Sequence, residues 1–176
     1  MVDPVNPLPK KMRSVLLIRH AKSSWDDASV TDFARTLDAR GKSDAVLMAN
    51  RLLTKGIAID YILSSPAKRA KKTAEYFLEA YQLSNKRLSF REYLYEPVQS
   101  AFTEAIESAP DEFQNIALFS HNPGITHFAN SLTESVRIDN IPTCGIFGIT
   151  IKINHWKNFS TAKPEFWFFD APKYPG

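Results

Sequence analysis

The chain has 176 residues, 44% of them hydrophobic and 12% aromatic, which suits one domain with a real core and argues against wholesale disorder. A net charge of +3 is too mild to point to nucleic acid, and the single cysteine, Cys144, excludes an intrachain disulfide framework. No segment approaches the roughly 20 apolar residues of a membrane span, and the start lacks the apolar core of a signal peptide, so the expectation is a cytoplasmic protein away from membranes.

Residues 1–11 carry three prolines and read as a flexible extension, leaving 12–176 as the domain. Arg13 to Arg19 is apolar between its ends, as a buried parallel strand is. A polar loop, His20 to Asp38, follows. Gly41 opens a helical stretch with Ala45, Met48, Ala49, Leu52 and Leu53 at helical spacing, and Gly56 stops it. Asp60 to Leu63 is a short strand. Ser65 as N-cap and Pro66 as first helical residue then start a second helix, with Ala70, Thr73, Ala74, Phe77, Leu78 and Tyr81 on one stripe.

Further on, Arg87 to Phe90 reads as a strand, Gln99 to Ser108 as a helix and Asn115 to Ser120 as a strand. Asn122 reads as an N-cap with Pro123 behind it. Ile149, Ile151 and Ile153 mark a strand with one wetter face, and Glu165 to Phe169 a last one. Cys144 reads as a small loop residue. The C-terminal aromatics, Trp156 to Phe169, read first as core packing and second as a partner surface. Strands alternating with helices give a single α/β domain, a mainly parallel central sheet flanked by helices.

Such sheets bind ligands beyond the carboxyl ends of their strands. Three strand ends here carry chemistry: Arg19-His20, Ser64-Ser65 with Arg69 after it, and Ser120-His121. The two arginines offer charged forks suited to phosphate oxygens. His121 adds a donor if protonated, and the helix start near Asn122 offers free amides to an anion. A neutral His20 presents a ring nitrogen as nucleophile, its other nitrogen fixed by a backbone carbonyl. At 100° per residue Arg69 borders the apolar stripe of its helix, about 40° from Thr73, whereas Lys68, Lys71 and Lys72 lie farther out and read as a solvated face. His127 follows His121 by six residues, the wrong spacing for a helical zinc pair, and His155 reads as structural or exposed, so no metal and no cofactor is expected. Neither a P-loop nor a Gly-x-Ser-x-Gly elbow is present.

The stretches "LLIRHAKSS", "SSPAKRAKKTAE" and "SHNPGI" resemble the histidine phosphatase superfamily, the phosphoglycerate mutase-like fold, and more narrowly its SixA-type phosphohistidine phosphatases, over about Ser14 to Phe169. The resemblance implies that His20 is phosphorylated, that Arg19 and Arg69 bind the phosphoryl group, and that His121 hydrogen-bonds it. "DFARTLDARGK" is similar to a family segment that makes Arg35 a rim or structural residue, and Lys22 and Asn122 are further candidates to touch substrate. Relatives that cleave monoesters have a carboxylic acid between the second arginine and the second histidine; here Glu92 is the first candidate and Glu96 the second, while SixA-type members lack a clear acid. That absence is tolerable for a phosphohistidine, which loses a neutral imidazole once its other nitrogen is protonated. The implied reaction is hydrolysis through a phosphohistidine enzyme. Its substrate is a phosphorylated protein carrying phosphohistidine or, alternatively, a small phosphomonoester or phosphoramidate. A phosphate-binding module without turnover is the reading from another class. With few residues free between Arg69 and His121, the site is expected to be open and shallow.

Overall fold

The computed structural model describes residues 11–174, so the expected extension, residues 1–11, lies outside the described residues except for Lys11. Among these residues six strands form one sheet: β1 (Met12–Arg19), β2 (Tyr61–Ser64), β3 (Leu88–Phe90), β4 (Asn115–Ser120), β5 (Ile146–Lys152) and β6 (Glu165–Asp170), in the order β3-β2-β4-β1-β5-β6. The first four run parallel, β5 is antiparallel to β1, and β6 is antiparallel to β5. The chain is thus an α/β domain with a mainly parallel sheet. Only β5 is reversed, because the chain reaches it at the Arg19 end of β1, where Ile146 pairs with Ile18.

Among the described residues four α-helices cover the sheet: α1 (Ala39–Thr54), α2 (Lys68–Ala80), α3 (Gln99–Glu107) and α4 (Gly124–Leu132). The alternation of β1 side chains builds both cores. Val15 and Leu17 pack with Phe102, Ile106, Phe128 and Trp156 on the side of α3 and α4. Leu16 and Ile18 pack with Met48, Leu52 and Phe77 on the side of α1 and α2. Each such buried side chain is worth about 1.5–3 kcal/mol relative to exposure.

Several boundaries differ from the sequence reading for local reasons. α1 starts two residues before Gly41, because the Asp38 carboxylate accepts the Gly41 amide at 2.7 Å and caps it. Leu53 is exposed, one step of 100° off the buried stripe that ends at Leu52. Ser65 is not the N-cap of α2: its Oγ accepts the Ala67 amide ahead of the helix, which starts at Lys68. Asn122 is not the N-cap of α4 either. Its side chain donates to the Asn140 Oδ1 and the Ile141 carbonyl and accepts from the Thr126 hydroxyl. At the C-terminal end Trp156 and Phe159 are core, as expected, while Trp167 is exposed.

Two glycines let backbones close around the sheet end. A Cβ at Gly41 would collide with the Lys22 carbonyl, and one at Gly124 with the Pro97 carbonyl. So α1 packs on the start of the loop after β1, and α4 on the segment before α3.

Candidate active site

β1 and β4 are neighbours in register, with Arg19 opposite Ser120. α1 covers one face of the sheet and α4 the other, so the chain diverges beyond these two strands and leaves a crevice. His20 and His121 are the next residues on each strand. The His20 amide donates to the Ser120 carbonyl at 3.1 Å, and the two rings stand 5.0 Å apart between centroids. α2 brings in Arg69 from the border of its apolar stripe; it is buried, with Lys68, Lys71 and Lys72 exposed, as its helical position implies.

The four residues expected to act together therefore line one cleft of about 830 Å³. His20 Nδ1 donates to the Ala21 carbonyl at 2.7 Å, which leaves Nε2 without a proton; Arg69 Nε donates to that nitrogen at 3.3 Å. Burial chiefly, and then the charges of Arg69, Arg19 and Arg35, push the His20 pKa down to about 3, against the opposing effect of the Ala21 carbonyl. The ring is neutral at pH 7. Arg19 donates through Nη1 to the Ile141 carbonyl at 2.9 Å, and its buried Nε has no partner among the described residues.

His121 is also neutral, its pKa pushed to about 2 by burial first and then by His20, Arg69 and Arg19. The sequence made His121 an added donor only if protonated; the neutral ring keeps one N–H. His121 Nε2 lies 2.7 Å from Ser65 Oγ, while Nδ1 is buried and unpartnered among the described residues. We assign the Ser65 hydroxyl proton to His121 Nε2 and the ring proton to Nδ1, the nitrogen left without a protein partner and so available to donate to a ligand. The serine read as a helix cap is instead the partner of the second histidine.

Of the two carboxylic acid candidates, Glu92 is displaced. It sits exposed on a 3-10 turn, Glu92–Leu94, and does not line the cleft, because Leu94 takes the inward position and its carbonyl accepts the Ser120 hydroxyl at 2.7 Å. Glu96, exposed, lies on the cleft edge, and Lys22, Asn122 and Arg35 line the cleft as well. Arg35 is buried and tied down, donating to Ser23 Oγ at 2.8 Å and Asp32 Oδ1 at 3.2 Å beneath Trp25, whose ring centroid is 3.4 Å away.

Asp32 was not foreseen. Its carboxylate accepts from Arg69 Nη2 at 3.1 Å and from the Tyr95 hydroxyl at 2.6 Å, and its carbonyl accepts Arg69 Nη1 at 2.7 Å. The Tyr95 hydrogen bond, then Arg69 and Arg35, hold its pKa down at about 2 despite some desolvation. The loop after β1 is thereby fastened to α2 and to the segment before α3. The available signal was the Asp32-to-Arg35 spacing in "DFAR", an ion pair three residues apart. No cluster of three or more His, Cys, Asp or Glu side chains suited to a metal occurs among the described residues.

Comparison with known proteins agrees with this geometry. The family model "Histidine phosphatase superfamily (branch 1)" matches residues 15–137. An uncharacterized chloroplastic protein of Arabidopsis thaliana is 28% identical over 173 residues, 92% of this chain and 78% of its own. An uncharacterized protein of Mycobacterium leprae is 29% identical over 168 residues, 89% of this chain and all of its own. Among solved structures, the protein histidine phosphatase SixA complexed with tungstate superposes with a TM-score of 0.76 at 21% identity, covering 90% of this chain and 97% of that one. With its fold, its strand-end histidines and a family match over most of the domain, the chain belongs to the histidine phosphatase superfamily.

Proposed function

We propose that this phosphatase removes the phosphoryl group from phosphohistidine on a protein, with His20 as nucleophile. The observation that carries the reading is the His20 ring: neutral, its Nδ1 proton held by the Ala21 carbonyl, its Nε2 lone pair in the cleft beside Arg69. In the first step Nε2 attacks phosphorus in line, and the phosphorus–nitrogen bond of the substrate breaks. The departing imidazole keeps the electron pair and leaves neutral, because its other nitrogen is protonated. In the second step water forms a new phosphorus–oxygen bond, the bond to Nε2 breaks, and inorganic phosphate leaves. Arg19, Arg69 and the His121 Nδ1–H supply donors to the equatorial oxygens, on which charge is spread in the transition state.

Shape supports a protein substrate. Of the residues between Arg69 and His121, most go into α2, β3, α3 and β4, and those that line the cleft are the short stretch Tyr95 to Gln99, with no added helix of their own. A protein-borne side chain reaches an open cleft more readily than a small molecule is enclosed by one. The name of the SixA relative, a protein histidine phosphatase, points the same way. Glu96 on the cleft edge favours one second reading, a phosphomonoesterase in which that carboxylic acid protonates an alkoxide.

The test is single-turnover hydrolysis of a phosphohistidine peptide and of an aryl phosphate by wild type and His20→Ala. Wild type should clear the peptide faster, with His20→Ala slower on both by on the order of 10⁴-fold or more. Turnover of the aryl phosphate alone would transfer the assignment to small monoesters. Two equally inert proteins that still bind phosphate would make the chain a binding module.

A further inference from the structure

Beside the cleft lies a second groove, of about 450 Å³, lined by Lys42 of α1, by Lys68, Lys71 and Lys72 of α2, and by Thr36 and Leu37. All four lysines are exposed, and the one carboxylate there, Glu75, pairs with Lys72 at 3.3 Å. Four lysines less one glutamate leave +3, the net charge of the whole chain. The groove is therefore a locally basic patch, beside a cleft that itself carries Arg19, Lys22, Arg35 and Arg69 against Asp32 and Glu96.

These lysines stand where the fold disfavours them. The start of a helix carries about half a positive charge, so cations in its first turn cost roughly 0.3–1 kcal/mol each. α2 has no acidic residue in its first turn and no side-chain cap on Ala67, yet four of its first five residues are Lys68, Arg69, Lys71 and Lys72. Lys42 sits in the first turn of α1, where the acid that complements the helix start is the capping Asp38. Arg69 is accounted for by His20 and Asp32. Lys72 has Glu75, but Lys42, Lys68 and Lys71 have no ion-pair partner among the described residues, and Lys71 and Lys72 lie 5.5 and 5.6 Å over the rings of Phe90 and Tyr76 while remaining exposed. A local rule broken without a gain in the folded chain marks a place to look for function.

The groove also adjoins the cleft. Lys68 precedes Arg69, and Thr36 follows Arg35, so neighbouring residues of the same two segments line the two depressions, with none lining both. At 1.5 Å per residue, Lys72 lies about 5 Å along α2 from Arg69.

We propose that this groove docks an acidic stretch of the phosphorylated protein whose phosphoryl group enters the cleft. The inference rests on the phosphoprotein reading above. Charge complementarity selects the occupant: single exposed ion pairs contribute under about 1 kcal/mol, but four converging cations raise the encounter rate and orient the partner. Nucleic acid fits less well, because none of the residues lining the groove is an aromatic on which a base could stack.

The experiment uses two phosphohistidine peptides that differ only in their flanks, glutamates in one and glutamines in the other. Wild type is compared with a Lys42→Ala, Lys68→Ala, Lys71→Ala, Lys72→Ala variant, whose fold is checked by thermal melting. Wild type should favour the glutamate peptide about tenfold in kcat/KM at low salt, with the preference shrinking as salt rises. The variant should lose the preference while hydrolysing an aryl phosphate within twofold of wild type. Equal rates on both peptides for wild type, or a preference that survives in the variant, overturns the proposal. Fluorescence anisotropy of the labelled, unphosphorylated glutamate peptide reads docking without turnover. If neither phosphopeptide is hydrolysed, the phosphoprotein reading fails, and docking is decided by whether the variant binds this probe about tenfold more weakly than wild type. Oligothymidylate binding as tightly, and lost with the same lysines, would also overturn it in favour of a general polyanion surface.

Discussion

β1 carries an arginine near each end, and the two live differently. Arg13 is 1% exposed. It donates to four backbone carbonyls, those of Ile153, Phe113, Asp111 and Asn154, and its guanidinium lies 4.9 Å over Trp156. Arg19 is only partly buried, has one carbonyl partner, and keeps a buried Nε without one among the described residues. Burial lowers the pKa of both, and Arg69 presses further on Arg19. A buried arginine whose donors are spent ties the chain together. One with donors in reserve, facing a second arginine, is held ready for an anion.

The sharpest way to break this contrast is Arg13→Ala. Four carbonyls lose their donor and a cavity opens beside Trp156, so unfolding free energy should fall by roughly 3–5 kcal/mol in denaturant titration, while the folded fraction keeps its kcat. Arg19→Ala should do the reverse, lowering kcat by about 10²–10³-fold with a melting temperature close to wild type. A large stability loss in Arg19→Ala would erase the distinction.

Acid sharpens it next. His20 and His121 have folded pKa values near 3 and 2, below the 6.5 of the free side chain, so the unfolded chain binds more protons than the folded one through this window. Stability should therefore fall as pH drops from about 6.5 towards 3, by up to about 1.4 kcal/mol per pH unit for each ring, as read by denaturant titration at several pH values. Asp32, also depressed, adds a smaller loss between about 4 and 2. The same values keep His20 unprotonated above pH 5, so kcat/KM corrected for substrate ionisation should stay level between pH 5 and 8. The smallest effect concerns the loop. Asp32→Asn removes a negative charge from beside Arg69, so inhibition by inorganic phosphate should tighten about threefold to tenfold. Weaker inhibition would mean that the carboxylate matters more for aiming Arg69 than for competing with the anion.

What the sequence disclosed and what it hid follow one physical line. Arg19, His20 and His121 stand at ends of apolar strands, and Arg69 on the edge of a helical stripe; periodicity within a single element places each of them. Ser65, Asp32 and Tyr95 depend on contacts 56, 37 and 63 residues apart in the chain, to His121, Arg69 and Asp32 respectively. No local pattern encodes those meetings. Glu92 and Glu96 show the same limit: a 3-10 turn at Glu92–Leu94 decides which carboxylate reaches the cleft, and the spacing of "REYLYEP" does not announce it. The reversed β5 was likewise hidden, since alternating Ile149, Ile151 and Ile153 indicate a strand but not its direction.

The pairing of Arg19 with Ser120, and of the His20 amide with the Ser120 carbonyl, has a consequence for how the molecule breathes. The two histidines are joined through the central strand pair rather than through a loop, so separating them requires rupture of the sheet itself. Amide hydrogen exchange at Arg19 and His20 should therefore proceed only through global unfolding, whereas the stretch from Ser24 to Phe33, most of it exposed, should exchange through local opening.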